Sequence, residues 1–120
     1  MSDTLYSDKI LSHYYHPLNY GLRGGFDAEQ RFANPLCGDM ITVRLRFDDD
    51  RVLDVCFRHE GCVISRAAAS LLSERIKGKT KDEIRSMTPR HITEEVLGIS
   101  VMPARIKCAT LALDAIQRIV

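Results

Sequence analysis

Three cysteines lie far apart in the chain, each inside its own short motif: NPLCGD around Cys37, EGCVIS around Cys62 and PARIKCATL around Cys108. Zinc modules whose role is structural usually hold thiolates in tight C-x₂₋₄-C knuckles, where one local turn builds half the site. No two of these cysteines can share a knuckle, so if they meet, the whole fold must bring them together. Asp39, two residues after Cys37, adds a carboxylate to the first motif. Three thiolates and one carboxylate form a donor set for a metal that has to arrive and leave. Thiolates select zinc, copper(I) and iron–sulfur clusters, whereas a carboxylate oxygen is harder and exchanges more readily.

The remaining composition bounds the setting of such a site. At 120 residues the chain is long enough for one domain with a real core, taken as residues 1–120. Hydrophobic residues make up 45%, which places the chain among globular proteins. A net charge of +1, with both signs dispersed, offers no electrostatic argument for nucleic acid or a membrane surface as partner. The opening MSDTLYSDKI lacks a basic segment followed by an apolar stretch, so a cytoplasmic location is expected. In that reducing compartment cysteines are metal ligands or reactive thiols more often than disulfide partners.

Periodicity orders the elements as helix, strands, then helices. Leu5, Tyr6, Ile10, Leu11 and Tyr14 are spaced for a helix over 4–15, with Asp3 or Thr4 as N-cap, ending before Pro17. Residues 28–34 are a weak strand candidate. Ile41, Val43, Leu45 and Phe47 alternate with polar residues over 40–47, the pattern of a half-buried strand. Asp48, Asp49 and Asp50 supply a turn, and 52–59 form the return strand. Its simple alternation puts Leu53, Val55, Phe57 and His59 inward and Asp54, Cys56 and Arg58 outward, making Cys56 an exposed thiol without a role.

A helix is expected from near Cys62 to Gly78, carrying Ile64, Ala68, Leu71, Leu72 and Ile76. Thr80 and Glu83 form a capping-box pattern for a short helix to about Met87. Thr88 and Pro89 open another that ends at Gly98. Pro103 opens the last, with an apolar stripe of Ile106, Ala109, Leu113, Ile116 and Val120. Strands followed by helices argue an α+β fold with helices on one face of a small antiparallel sheet.

Each site cysteine falls at an element boundary. Cys62 sits at a helix N-terminus, where the dipole and free N–H groups favour a thiolate. Arg66, Arg105 and Lys107 are near enough in sequence to offset accumulated negative charge, although Arg66 and Arg105 read first as solvated. Lys107 reads equally as a surface lysine or a cation guarding the site. Asp39 has an alternative reading as a turn residue after Gly38. His13 suits packing or capping, and His16 and His91 the surface. His59 is read as packing, with alternative ligation a lesser option. Tyr14, Tyr15 and Tyr20 read as packing around the first turn.

Taken together, these motifs resemble the U-type iron–sulfur cluster assembly scaffolds, the family of IscU, SufU and the NifU N-terminal domain. The resemblance covers nearly the whole chain, beginning with His13-Tyr14, Pro17, Asn19 and Gly21. It implies a three-stranded antiparallel sheet with helices packed on one face, and a zinc or cluster site of Cys37, Asp39, Cys62 and Cys108. It also implies a pyridoxal-phosphate cysteine desulfurase as sulfur donor, a [2Fe–2S] cluster as cargo and apo-iron–sulfur proteins as recipients. Weak homo-oligomerisation is compatible with it. Lys107 stands where the IscU branch has a histidine, and VMPARIK replaces that branch's Pro-rich segment, as on the SufU side. The 46-residue step from Cys62 to Cys108 is too short for the usual SufU insertion. Three functions follow as expectations: a cluster scaffold; a zinc-dependent sulfurtransferase with Cys37 or Cys108 as persulfide acceptor; or a non-catalytic zinc-stabilised adaptor.

Overall fold

The computed structural model describes residues 8–35, 38–98 and 101–120. The start of the first helix, with its expected N-cap, and Cys37 both lie outside the described residues. Three antiparallel strands, β1 (Ala28–Ala33), β2 (Met40–Asp48) and β3 (Arg51–Glu60), pair in the order β1-β2-β3. The hydrophobic alternation of β2 is realised directly, with Ile41, Val43 and Leu45 buried on one face.

The helices cover that face. They comprise α1 (Asp8–Tyr15), α2 (Val63–Ile76), α3 (Lys81–Arg85), a helix over His91–Leu97, α4 (Ile106–Ala109) and α5 (Leu111–Ile119). Ile41, Val43, Val55 and Phe57 of the sheet face Ala69 of α2 and Ala112 and Ile116 of α5. Ala67, Ala68, Ala69, Ser70 and Ser73 are all buried, because α2 packs against α1 and α5 as well as the sheet. Small side chains let these elements approach closely on several sides. Thr80 and Glu83 close the expected capping box on α3, each side chain accepting the other's backbone N–H. Among the described residues no helix is long and apolar enough to cross a membrane.

Four expectations are corrected. Leu53 is not in the core but 50% exposed. Phe47 pairs with Val52 and Arg46 with Asp54, so Leu53 is the extra residue of a bulge and Val52 takes the buried position. Cys56 is outward by parity, opposite Arg44, yet fully buried. The turn after α1 covers it: Asn19 O accepts the Phe57 N–H, the Gly21 N–H donates to Phe57 O, and the Arg23 N–H points at Cys56 Sγ at 3.5 Å. The helix expected after Thr88-Pro89 is wound wide over His91–Leu97 with π-type hydrogen bonding, and Gly98 closes it by donating to Thr93 O. The last helix is not continuous: a 3₁₀ turn at Pro103–Arg105 leads into α4, and Thr110 separates α4 from α5.

Candidate metal centre

The Asp39 carboxylate and the Cys62 and Cys108 sulfurs converge, with their ligand-type atoms all within 4.8 Å of one another. Three unrelated pieces of backbone achieve this. Asp39 is delivered by the β1–β2 connection, which closes on itself where the Asn34 N–H donates to Asp39 O and the Gly38 N–H to Asn34 O. Gly38 sits there at φ +75°, a left-handed conformation glycine adopts without steric cost. Cys62 comes from the end of β3 and is the N-cap of α2, its sulfur accepting the Ser65 N–H at 3.4 Å. Cys108 comes from α4, after the 3₁₀ turn opened by Pro103.

Burial is graded across the three. Asp39 is 4% exposed and Cys108 3%, while Cys62 is half-buried. Asp39 Oδ1 accepts the Cys62 N–H at 3.3 Å; Oδ2 is fully buried and has no hydrogen-bond partner. A buried carboxylate oxygen without a partner costs roughly 1–3 kcal/mol or more, and beside two sulfurs it is the donor a cation would use. Burial acts to raise the Asp39 carboxyl pKa. The neighbouring Ser65 hydroxyl, the Cys62 and Cys108 thiols and the Cys62 amide outweigh that, holding it below its ordinary value. The group is therefore an anion at neutral pH, ready to bind a metal. Two thiolate sulfurs with one carboxylate oxygen suit zinc or iron better than a hard cation such as magnesium or calcium.

Behind Cys62 lies a polar cluster that the sequence reading placed only in part. His59 does point inward and is 1% exposed. Its Nε2 lies 2.5 Å from Ser65 Oγ, and its Nδ1 accepts from Arg66 Nε at 3.2 Å. Burial first, then the Arg66 charge, lowers its pKa to about 4, with the Asp39 charge opposing. Arg66 is not simply solvated: its guanidinium lies over the rings of Tyr14 and Tyr20, 5.0 and 5.4 Å from their centroids. Ser65 was missed. The signal for it was the N-cap rule, since Ser65 stands three residues after the cap exactly as Glu83 follows Thr80.

Other candidates sit elsewhere. Lys107 and Arg105 are exposed, and the Lys107 charge acts on Asp114 further along α5. His13 packs as expected, its Nδ1 2.7 Å from Ser70 Oγ. His16 is exposed. His91 is half-buried and accepts the Thr88 N–H at its own helix start.

A three-stranded antiparallel sheet backed by helices, with a carboxylate and two cysteines gathered at one end of its strands, defines a class of small α+β metal-site proteins. The chain belongs to the NifU-like N-terminal domain family, which it matches over residues 5–120. It is 33% identical over 114 residues to the iron–sulfur cluster assembly scaffold protein IscU 1 of Archaeoglobus fulgidus, covering 95% of this chain and 73% of that protein. It is 37% identical to the zinc-dependent sulfurtransferase SufU of Bacillus subtilis, covering 97% of this chain and 89% of that protein. That alignment runs over 132 positions against a chain of 120 residues, so the relative carries residues that this chain lacks. A crystal structure of a candidate iron–sulfur cluster assembly scaffold protein for the SUF system, from Fervidobacterium islandicum, superposes with a TM-score of 0.83 at 28% identity, covering 99% of this chain and 98% of that one.

Proposed function

We propose that this protein is a scaffold that accepts persulfide sulfur from a cysteine desulfurase, combines it, after two-electron reduction to sulfide by a thiol or other electron donor, with iron as a [2Fe–2S] cluster, and passes the cluster to apoproteins. Cys37, Asp39, Cys62 and Cys108 are the ligand set, and the carboxylate is the bond that opens for release. The observation that carries this reading is the buried, partnerless Asp39 Oδ2 set among the Cys62 and Cys108 sulfurs. Membership of a family whose relatives include named scaffolds supports it. The bond-breaking belongs to the desulfurase; this chain supplies thiolates, an anionic oxygen and a partly open face at Cys62. The test is anaerobic incubation with iron, cysteine, a thiol reductant and a desulfurase, followed by addition of apo-ferredoxin. Cluster absorption should appear on this protein and then on the ferredoxin. A protein that never acquires the absorption overturns the proposal.

The 37% identity to a zinc-dependent sulfurtransferase favours a second reading, in which Cys37 or Cys108 accepts persulfide sulfur. Zinc held by the same residues would keep the thiolates deprotonated and reduced until a partner displaces one. The discriminating measurement is desulfurase turnover with zinc-loaded protein and no iron. Many-fold stimulation requiring one of those cysteines favours sulfur transfer, and no stimulation removes it. The cytoplasm, where cluster assembly and reduced thiols coexist, is the location this function suits.

A further inference from the structure

A chain of buried side chains ends on the Cys62 sulfur, and Arg66 sets the direction of its first two hydrogen bonds. Arg66 can only donate, so His59 Nδ1, 3.2 Å from Arg66 Nε, must be an unprotonated acceptor. The neutral imidazole then carries its proton on Nε2 and donates it to Ser65 Oγ at 2.5 Å. With that lone pair engaged, the Ser65 hydroxyl proton is left for the groups on its other side: the Asp39 carboxylate, Cys62 O at 3.2 Å and Cys62 Sγ at 3.5 Å. The Ser65 N–H already points at the same sulfur at 3.4 Å. His59 and Ser65 are each 1% exposed, so water does not compete for these bonds.

The far end of the chain is anchored too. Arg66 Nη2 donates to His59 O at 3.2 Å, and its guanidinium is flanked by the Tyr14 and Tyr20 rings. The Tyr20 hydroxyl donates to His59 O at 3.1 Å. α1 and the turn after it therefore hold Arg66, Arg66 holds the imidazole tautomer, and the tautomer makes Ser65 Oγ an acceptor on the His59 side.

We propose that Arg66, His59 and Ser65 form a hydrogen-bond relay that tunes the Cys62 sulfur, weakening its electron donation to a bound metal. The proposal rests on the reading of Cys62 as a ligand. A protonated thiol gives its own proton to Ser65 Oγ. Once metal has displaced that proton and drawn on the Asp39 carboxylate, the serine hydroxyl turns from Asp39 and donates to the thiolate. Hydrogen bonds to a ligating sulfur withdraw electron density and raise the reduction potential of a bound cluster. Ser65 is the residue that touches the ligand; His59 and Arg66 are positioning residues acting through it.

The test uses the full chain loaded with cobalt(II), whose sulfur-to-metal charge-transfer absorption reports thiolate donor strength. Ser65→Ala and His59→Leu should move this band to lower energy at unchanged cobalt stoichiometry. Ser65→Thr and His59→Gln, which keep the donors, should return it toward wild type, an outcome that a packing role alone would not produce. Arg66→Met removes the donor to His59 Nδ1 while keeping the apolar stem, and should give a smaller shift in the same direction. A reconstituted [2Fe–2S] cluster should show a lower midpoint potential in Ser65→Ala. If Cys62→Ser loses charge-transfer intensity but neither Ser65→Ala nor Arg66→Met moves the band, the relay is wrong and the ligand reading stands. If Cys62→Ser leaves the spectrum intact, the ligand reading fails and takes the relay with it.

Discussion

The Asp39 carboxylate rests on the α-carbon of Gly61: a methyl group there would lie 2.4 Å from Oδ1 and 3.0 Å from the Asp39 Cβ. Gly61 also stands at φ +150°, where side-chain-bearing residues are strained. The glycine before Cys62 is thus what lets the carboxylate reach the Cys62 N–H. Gly61→Ala should push Asp39 out of place and weaken zinc binding by about 10–100-fold, the range found when ligand orientation is disturbed. Competition titration against a chelator of known affinity measures it. Wild-type affinity in Gly61→Ala would show that the carboxylate does not depend on this contact.

Asp39 should govern release rather than assembly. As an oxygen ligand it binds a soft-leaning site less firmly than thiolates do. Asp39→Ala should still assemble a cluster but donate it more slowly, and Asp39→Cys should trap it with a further thiolate. The readout is the rate at which apo-ferredoxin gains its cluster from each variant. Donation by Asp39→Ala at the wild-type rate, with equal cluster content, would make the carboxylate a turn residue.

His59 should make the metal-free fold sensitive to mild acid. Its pKa falls from 6.5 in the unfolded chain to about 4 when folded, chiefly through burial. Between those values the unfolded state binds more protons, so this contribution is full above the unfolded value and is lost as pH falls towards the folded one. The loss is about 2 kcal/mol between about pH 7 and about pH 5. Denaturant titration at both pH values should show His59→Gln losing less stability than wild type on acidification. Equal losses would mean that His59 is protonated in the folded protein.

Cys56 should resist alkylation in the folded protein. It is fully buried under the turn after α1, whereas Cys62 is half-buried. Peptide mapping after brief iodoacetamide treatment of metal-free protein should find Cys62 modified and Cys56 protected until denaturant is added. Early modification of Cys56 would mean that the 19–23 segment does not stay closed on the sheet.

Cys56 also marks where the sequence stops being legible. Alternation identified β2 correctly, because Ile41, Val43 and Leu45 sit on a regular strand. The same rule misread Leu53, since a bulge opposite Arg46 and Phe47 shifts parity without leaving a local signal. It misread Cys56 because the covering segment lies more than thirty residues earlier in the chain. That Asp39, Cys62 and Cys108 converge was legible from their motifs, and the Thr80–Glu83 capping box from cap spacing. The Arg66–His59–Ser65 chain was not, because its geometry depends on Tyr14 and Tyr20 arriving from another element.

The central claim is that Asp39, Cys62 and Cys108, with Cys37, hold a cluster as cargo. Its most direct test is iron and acid-labile sulfide analysis after anaerobic reconstitution of wild type, Cys62→Ser, Cys108→Ser and Cys56→Ser. Wild type and Cys56→Ser should bind iron and sulfide in the equal ratio of a [2Fe–2S] cluster, and the other two variants should lose most of both. Full iron and sulfide in Cys62→Ser and Cys108→Ser, or none in wild type, would contradict it.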